Sequence, residues 1–175
     1  STPIKSSAAS DVYKRQKQYL DDKRETNMLN GLTDAGSYLQ GVSTLQNRTV
    51  ILSLNGNYMA AGDSYYDGLA ALGICYEDYQ KGGVWIFENG VPTLYLSGKE
   101  YSQKYPIKDG EIYVKSELHD GDREDTELIL NGKNYSFVEN GLNILIYDQD
   151  TNQVIDHAGT DVYVSFEMIR EENVE

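Results

Sequence analysis

Two histidines, a single cysteine and several clusters of acidic and hydroxyl side chains are the groups in this chain that could do chemistry. Asp148, Asp150 and Asn152 stand at the first three ligand positions of a calcium loop, where alternate side chains converge their oxygens on one ion. The sixth position, which such a loop turns on glycine, is Gln153, and the twelfth, which supplies a bidentate carboxylate, is Gly159. A turn between two strands fits DQDTN better. Asp120 to Asp125, DGDRED, could hold a cation weakly but reads first as a solvated charge run. His119 and His157 lack the Cys/His company that zinc requires, so no metal site and no cofactor are expected. Gly62-Asp63-Ser64 offers a hydroxyl nucleophile, which needs a histidine base and an acid partner close in the fold; its rival is a loop that caps a helix through Asp63 or Ser64. Asn47-Arg48-Thr49 and Asn134-Tyr135-Ser136 are sequons, meaningful only in a eukaryotic secretory host.

Whether these groups meet depends on the elements between them. Asn140 to Asp161, NGLNILIYDQDTNQVIDHAGTD, reads as a β-hairpin. Leu142, Ile144 and Ile146 alternate with Asn143, Leu145 and Tyr147, and Gln153-Val154-Ile155 opens the return strand. From Lys17 to Gln46 the pattern is helical: Met28, Leu29, Leu32, Ala35, Tyr38, Leu39 and Val42 recur at three- and four-residue spacing, with Thr26 or Asn27 as cap. Gly31 and Gly36 weaken that helix by roughly 1 kcal/mol each, so packing must hold it. Thr49 to Leu54, TVILSL, is apolar almost throughout and reads as a buried central strand covered by the first helix. After the loop NGNYMAAGD, the residues Tyr65, Leu69, Ala70 and Leu72 predict a short second helix stopped by Gly73.

Gly83 to Phe87, GVWIF, is a strand that Glu88-Asn89-Gly90 turns into Pro92 to Leu96. Glu111 to Leu118 and Glu127 to Leu130 follow, Asn131-Gly132 makes a tight hairpin into Asn134 to Val138, and Val162 to Ile169 continues as strand or frayed end. The fold class predicted is α+β, mainly antiparallel β-sheet with two short helices.

The chain has 175 residues, with 15 Lys plus Arg against 28 Asp plus Glu, a net charge of −13. That length suffices for one ordinary domain with a real core. A field of that sign repels phosphate, which argues against nucleic acid and anionic membrane surfaces as partners. No apolar run has the length a bilayer needs, and no signal-peptide pattern is visible. Fifteen tyrosines point to half-buried pleated surface and to rings that can stack on ligands. The single Cys75, in LGIC, fits a small core hydrophobe and rules out an internal disulfide.

Ser6 to Gln16, SSAASDVYKRQ, resembles a translated sequencing adapter, and its rival is a disordered polar tail; both predict that residues 1–16 pack against nothing. Beyond them the chain resembles the interleukin-like EMT inducer domain, also called ILEI/PANDER, of animal secreted and bacterial surface proteins. The markers are GLNILIYD, VIDHAGTD and LNGKNYSF from one half of that module, and TVILSL, LAALG and GVWIF from the other. They occur here in permuted order. Residues 17–100 resemble the C-terminal half of such a module and 112–170 the N-terminal half, with 101–111 as a linker and 171–175 as a tail. The simplest expectation is a fragment cut from tandem modules, whose halves complement one another if TVILSL and the Gly141–Asp148 strand share a sheet.

The resemblance implies a non-catalytic recognition module of a bacterial cell-envelope protein, extracytoplasmic or at the cell surface, with glycans as partners. In the stem domain of an animal O-mannose N-acetylglucosaminyltransferase, which is similar to this family, the sugar site uses an Arg before the Gly-hydrophobic strand, an Asp after the Val-Ile-Leu strand and an Arg before the aromatic strand. The matching positions here are Asn140, the loop Asn55-Gly56-Asn57, and Lys81. Asn side chains both donate and accept, which suits hydroxyls, while Tyr58, Tyr79 and Trp85 could offer a face to a pyranose ring. The candidate ligand-binding residues are therefore Asn55, Asn57, Lys81, Trp85 and Asn140, against the reading that they are ordinary turn residues. A structural spacer or accessory domain of an envelope glycosyltransferase or polymer synthase is the alternative function. A further alternative is a GDS-type esterase, which Gly62-Asp63-Ser64 resembles, although Asn55-Gly56-Asn57 precedes that block and no Asp stands three residues before His157.

Overall fold

The computed structural model of the chain describes residues 2–55, 63–119, 123–139, 141–161 and 166–170. Helix α1 (Thr2–Asn30) ends where the Gly31 amide donates to the carbonyls of Asn27 and Met28 at 3.3 and 3.1 Å. Asp34, extended at φ −86° and ψ 145°, then caps α2 (Ala35–Ser43), its carboxylate accepting from the Ser37 amide at 3.2 Å. The single helix expected over Lys17 to Gln46 is thus two. Apolar spacing from Met28 to Val42 keeps one face across the break, while Gly31 and the Asp34 cap cut the backbone. The α1 helix also takes in residues 2–16, expected to be unstructured, and its side chains from Ala8 to Lys17 are all exposed.

Strand β1 (Thr49–Asn55) is followed by α3 (Asp63–Ala71), after which Gly73 takes the left-handed conformation at φ 84°. Next comes α4 (Tyr76–Lys81), too short to show apolar periodicity. Strands β2 (Gly83–Glu88) and β3 (Val91–Ser97) are joined by Asn89-Gly90, both left-handed, as a tight hairpin turn requires. Residues 101–111, expected as a linker, instead supply β4 (Tyr101–Ile107) and the turn into β5 (Gly110–His119). Strand β6 (Arg123–Leu130) turns at Asn131-Gly132, again both left-handed, into a very short β7 (Lys133–Asn134); β8 (Gly141–Asp148) and β9 (Gln153–Thr160) complete the set.

All strand pairs are antiparallel and form two sheets, ordered β3-β2-β1-β8-β9 and β4-β5-β6-β7. The fold is therefore α+β and mainly antiparallel. TVILSL lies at the centre of the larger sheet, with GVWIF on one side and GLNILIYD on the other. All its residues are buried, because the two faces belong to two cores. Val50, Leu52 and Leu54 pack with Trp85, Phe87, Leu142, Ile144 and Ile146 under Tyr38, Leu39, Val42, Tyr65 and Leu69 from the helices. Ile51 packs with Val84, Ile86, Leu145 and Tyr147 against Ile112, Val114, Leu128 and Leu130 of the second sheet. The molecule is a three-layer stack of helices, sheet and sheet.

Close approach of the helices depends on Gly36 and Gly68: a Cβ on Gly36 would lie 2.6 Å from the Ser64 carbonyl oxygen, and one on Gly68 2.8 Å from the Leu39 Cβ. The segment 166–170 closes the other end of the helical layer. It bridges Asp34 to Glu167 and Gly159 to Ile169, and the Met168 amide donates to the Thr33 carbonyl at 2.7 Å.

Two outcomes follow from this packing. Ile144 is wholly buried in the helix-side core, so Ile144→Asp will cost several kcal/mol in chemical denaturation, whereas Leu118→Asp, at an exposed site, will cost little. Removing residues 1–16, whose described side chains are exposed, will leave the thermal midpoint unchanged; a fall of several degrees would show that they pack.

Candidate functional site

Among the described residues, two of the sequence-derived positions, Asn55 and Lys81, lie at one end of the large sheet. Asn55 ends β1 and pairs with Gly141 at the start of β8, and Leu54 pairs with Gly83 at the start of β2. Lys81, exposed, ends α4 just before β2. Asn57, Tyr58 and Asn140 lie outside the described residues. Asn55 itself is buried: its amide donates to Thr126 Oγ1 and, at 3.5 Å, to the Glu139 carbonyl, so it joins the two sheets. Trp85 does not offer a face to a sugar. Its ring is 4 % exposed and stacks on Tyr95 at 4.5 Å and 13°, which fills the surface a pyranose would use. Tyr79, at 1 % exposure, is equally enclosed.

The accessible aromatic surface lies beside these residues, between α3 and α4. Tyr65 and Tyr79 go into the core, while Tyr66, half-buried, and Tyr76, 56 % exposed, stand at the surface. Their rings form an edge-to-face chain, 5.3 Å and 87° between Tyr66 and Tyr79 and 5.5 Å and 63° between Tyr66 and Tyr76. They wall an open hollow of about 240 Å³ with a floor of Leu69, Ala70 and Ile74 and with Asp67 and Cys75 at its edge. Gln80 Nε2 donates to the Tyr76 hydroxyl at 2.9 Å and fixes that ring. Burial, with Tyr76 adding to it, holds the Tyr66 phenol above its ordinary value, so it keeps its proton and can donate. An apolar aromatic wall with a few polar groups at the rim suits a ligand with one apolar face and hydroxyls at its edge. Sequence reading named Tyr79 of α4 and missed Tyr66 of α3 and Tyr76 of α4, because ring exposure depends on how α3 and α4 cross.

A second polar centre lies where α1 meets the large sheet. Arg48, buried, donates from Nη2 to Asp22 Oδ1 at 2.8 Å, from Nε to Glu25 Oε2 at 2.7 Å and from Nη1 to Asp148 Oδ2 at 3.2 Å. Thr151 Oγ1 donates to Asp22 Oδ2 at 2.5 Å, and the Asp150 amide donates to Asp148 Oδ1 at 2.8 Å. Burial pushes the Asp22 carboxyl up to about 6, Thr151 opposing and Asp148 reinforcing the rise. Burial also acts to raise Asp148, but hydrogen bonds from Asp22 and the Asp150 amide, with the charge of Arg48, bring it below the ordinary carboxylate value. An open polar hollow of about 370 Å³ lies over the cluster, lined in part by Gln18, Asp21, Gln46 and Asn47.

The remaining chemical motifs are accounted for by local structure. Ser64 lies in the helical layer against Gly36, whereas His157 pairs with Leu145 on the opposite face of the sheet and stacks on Phe137 at 4.9 Å and 14°; the two cannot form a nucleophile–base pair. In the turn 148–152, Asp148 is held by Arg48 and Asp150 by Lys108 Nζ at 3.3 Å, while Asn152 Oδ1 accepts from the Tyr147 hydroxyl at 2.7 Å. The carboxylates face cations of the chain, not a common centre. His119 faces Asp125 at 3.7 Å on the exposed end of β5, and Asp120 to Asp122 lie outside the described residues. Asn134 Oδ1 accepts from the amides of Leu128 and Ser136 and from Ser136 Oγ, which ties the second sequon into a turn.

Removing the guanidinium would leave the buried carboxylates uncompensated. Arg48→Met is expected to lose about 3–5 kcal/mol of stability near neutral pH, read by chemical denaturation. An unchanged stability would mean that the cluster contributes nothing net.

No protein-family model, curated protein or solved structure matches this chain.

Proposed function

We propose that this chain is a non-catalytic recognition module of a bacterial cell-envelope protein, directed to carbohydrate and of the ILEI/PANDER kind. The observation that carries the reading is the open hollow walled by Tyr66 and Tyr76, with Asp67 at its edge, Gln80 hydrogen-bonded to the Tyr76 hydroxyl and Lys81 at the end of α4. A pyranose presents one face of C–H groups and a belt of hydroxyls; tyrosine rings meet the first and carboxylate, amide and ammonium groups the second. The pairing of Asn55 with Gly141 and of Leu54 with Gly83 supports the resemblance, since it gathers at one sheet end positions that are far apart in the chain. An extracytoplasmic setting follows from the same resemblance.

A second reading, a structural spacer or accessory domain of an envelope glycosyltransferase or polymer synthase, draws on Asn55 and Trp85, both committed to internal contacts. A glycan array followed by titration of the best ligand separates the two. On the first reading Tyr76→Ala weakens binding roughly tenfold, a loss of about 1.4 kcal/mol, while the unfolding midpoint holds because the side chain is largely exposed. Absence of glycan binding by the unaltered chain leaves the spacer.

A further inference from the structure

The α1 helix is attached to the molecule in an unusual way. Along its described side chains, only Asp22 and Leu29 are buried, and one of those two is a carboxylate. Apart from Leu29, its fastenings are polar: Asp22 and Glu25 to Arg48, Asp22 to Thr151, the Thr26 hydroxyl to the Ile155 carbonyl at 2.7 Å, and Arg170 to the Leu29 carbonyl at 2.7 Å. The other helices are held by apolar side chains such as Tyr38, Leu39, Tyr65, Leu69 and Tyr79.

The charges at the fastening do not balance. Asp22 and Glu25 from α1, and Asp148 from the end of β8, all face the single guanidinium of Arg48. The neighbouring charged groups are already paired or turned outward: Arg24 binds Asp21 on the exposed side of α1, Lys108 binds Asp150, and Glu88 accepts from Gln149 at 3.0 Å. No histidine stands among them. Three carboxylates around one buried cation leave an excess of negative charge in a low-dielectric site, and a proton relieves it most directly.

We propose that the cluster of Asp22, Glu25, Arg48 and Asp148 is a proton-operated latch that fastens α1 to the sheet, closing more tightly as the medium acidifies. The proton resides on Asp22, whose protonated carboxyl donates to Asp148. Docked, Asp22 titrates at about 6; released, it returns to its ordinary 3.8. Docking therefore takes up a proton between those values, and the added hold is lost as pH rises through 6. Asp148 acts in the opposite sense: its carboxyl is held below the ordinary value, so its contribution is present at neutral pH and fades only in stronger acid. The latch thus works between about pH 4 and pH 6. Because α1 supplies Gln18, Asp21, Arg24 and Glu25 to the 370 Å³ hollow over Arg48, its release opens one wall of that hollow.

Amide hydrogen exchange on the full chain, corrected for the intrinsic pH dependence of exchange, tests this. Amides of residues 22–30 should be roughly tenfold better protected at about pH 5 than at about pH 7.5, while those of 50–54 in β1 keep the same protection at both. Asp22→Asn should remove the step and hold α1 at both pH values, and Glu25→Gln should retain it. Thr151→Val, which takes away a donor favouring the charged carboxylate, should move the step to higher pH. A flat wild-type response, a step that survives Asp22→Asn, a step abolished by Glu25→Gln, or β1 amides that change in parallel with α1 would each overturn the latch.

Discussion

Everything in this molecule follows from the double burial of β1. A strand reading Thr-Val-Ile-Leu-Ser-Leu-Asn has no face that water can wet, so it must lie between two layers and between two strands. Each flank of the strand is satisfied by a strand of similar character, GVWIFE and GLNILIYD, and both are buried along nearly their whole length. The remaining elements are then covers. The helices close one face and the β4–β7 sheet closes the other.

That constraint also bears on two of the polar residues inside. Asn143, wholly buried on the second-sheet side of β8, accepts from the amides of Phe137 and Val138 at 2.7 and 3.0 Å and donates to the Val138 carbonyl at 2.9 Å. It thereby satisfies backbone that leaves the ladder after β7, where the strand expected to run from Asn134 to Val138 stops almost at once. Asp156 plays a similar part on the helix side, accepting from Tyr38 at 2.8 Å and pairing with Arg170 at 3.1 Å, so that α2, β9 and the segment 166–170 are tied at one point. Asn143 and Asp156 each mark a place where irregular chain is fixed to the sheet.

Sequence legibility followed the range of the interaction that decides each element. The central strands and the Asn-Gly hairpins were readable because alternation and left-handed turn residues are local signals. The α1–α2 break was hidden, since the apolar stripe continues through it and only the Asp34 cap reveals a new start. Strand β4 resembled a linker because its outward residues, Ser102, Lys104 and Pro106, are polar or strand-breaking, and its inward tyrosines need the large sheet beside them to look like core. Among the candidate site residues, position could be read but exposure could not. Asn55 and Lys81 did come to the end of the sheet, whereas Trp85 turned inward, because the side of a doubly covered strand on which a ring finds room is a tertiary property.

The contrast between α1 and the other helices has a consequence for where recognition can sit. Tyr66 and Tyr76 are carried on helices anchored by Leu69 and by Tyr65 and Tyr79, whose rings meet edge to face, while Gly36 and Gly68 bring α2 against α3. An aromatic wall built on such a base is held in one geometry before a ligand arrives, which lowers the entropy lost on binding. The polar hollow above Arg48 has the opposite construction: one wall is the loop before β1 with the turn after β8, and the other is a helix held chiefly by charge. Local stability in a folded chain is lowest where apolar burial is least, so the two hollows differ in stiffness whatever they contain. On the recognition reading proposed above, the tyrosine hollow selects a shape, whereas the Arg48 hollow, as the proposed latch, responds to the charge state of its own wall.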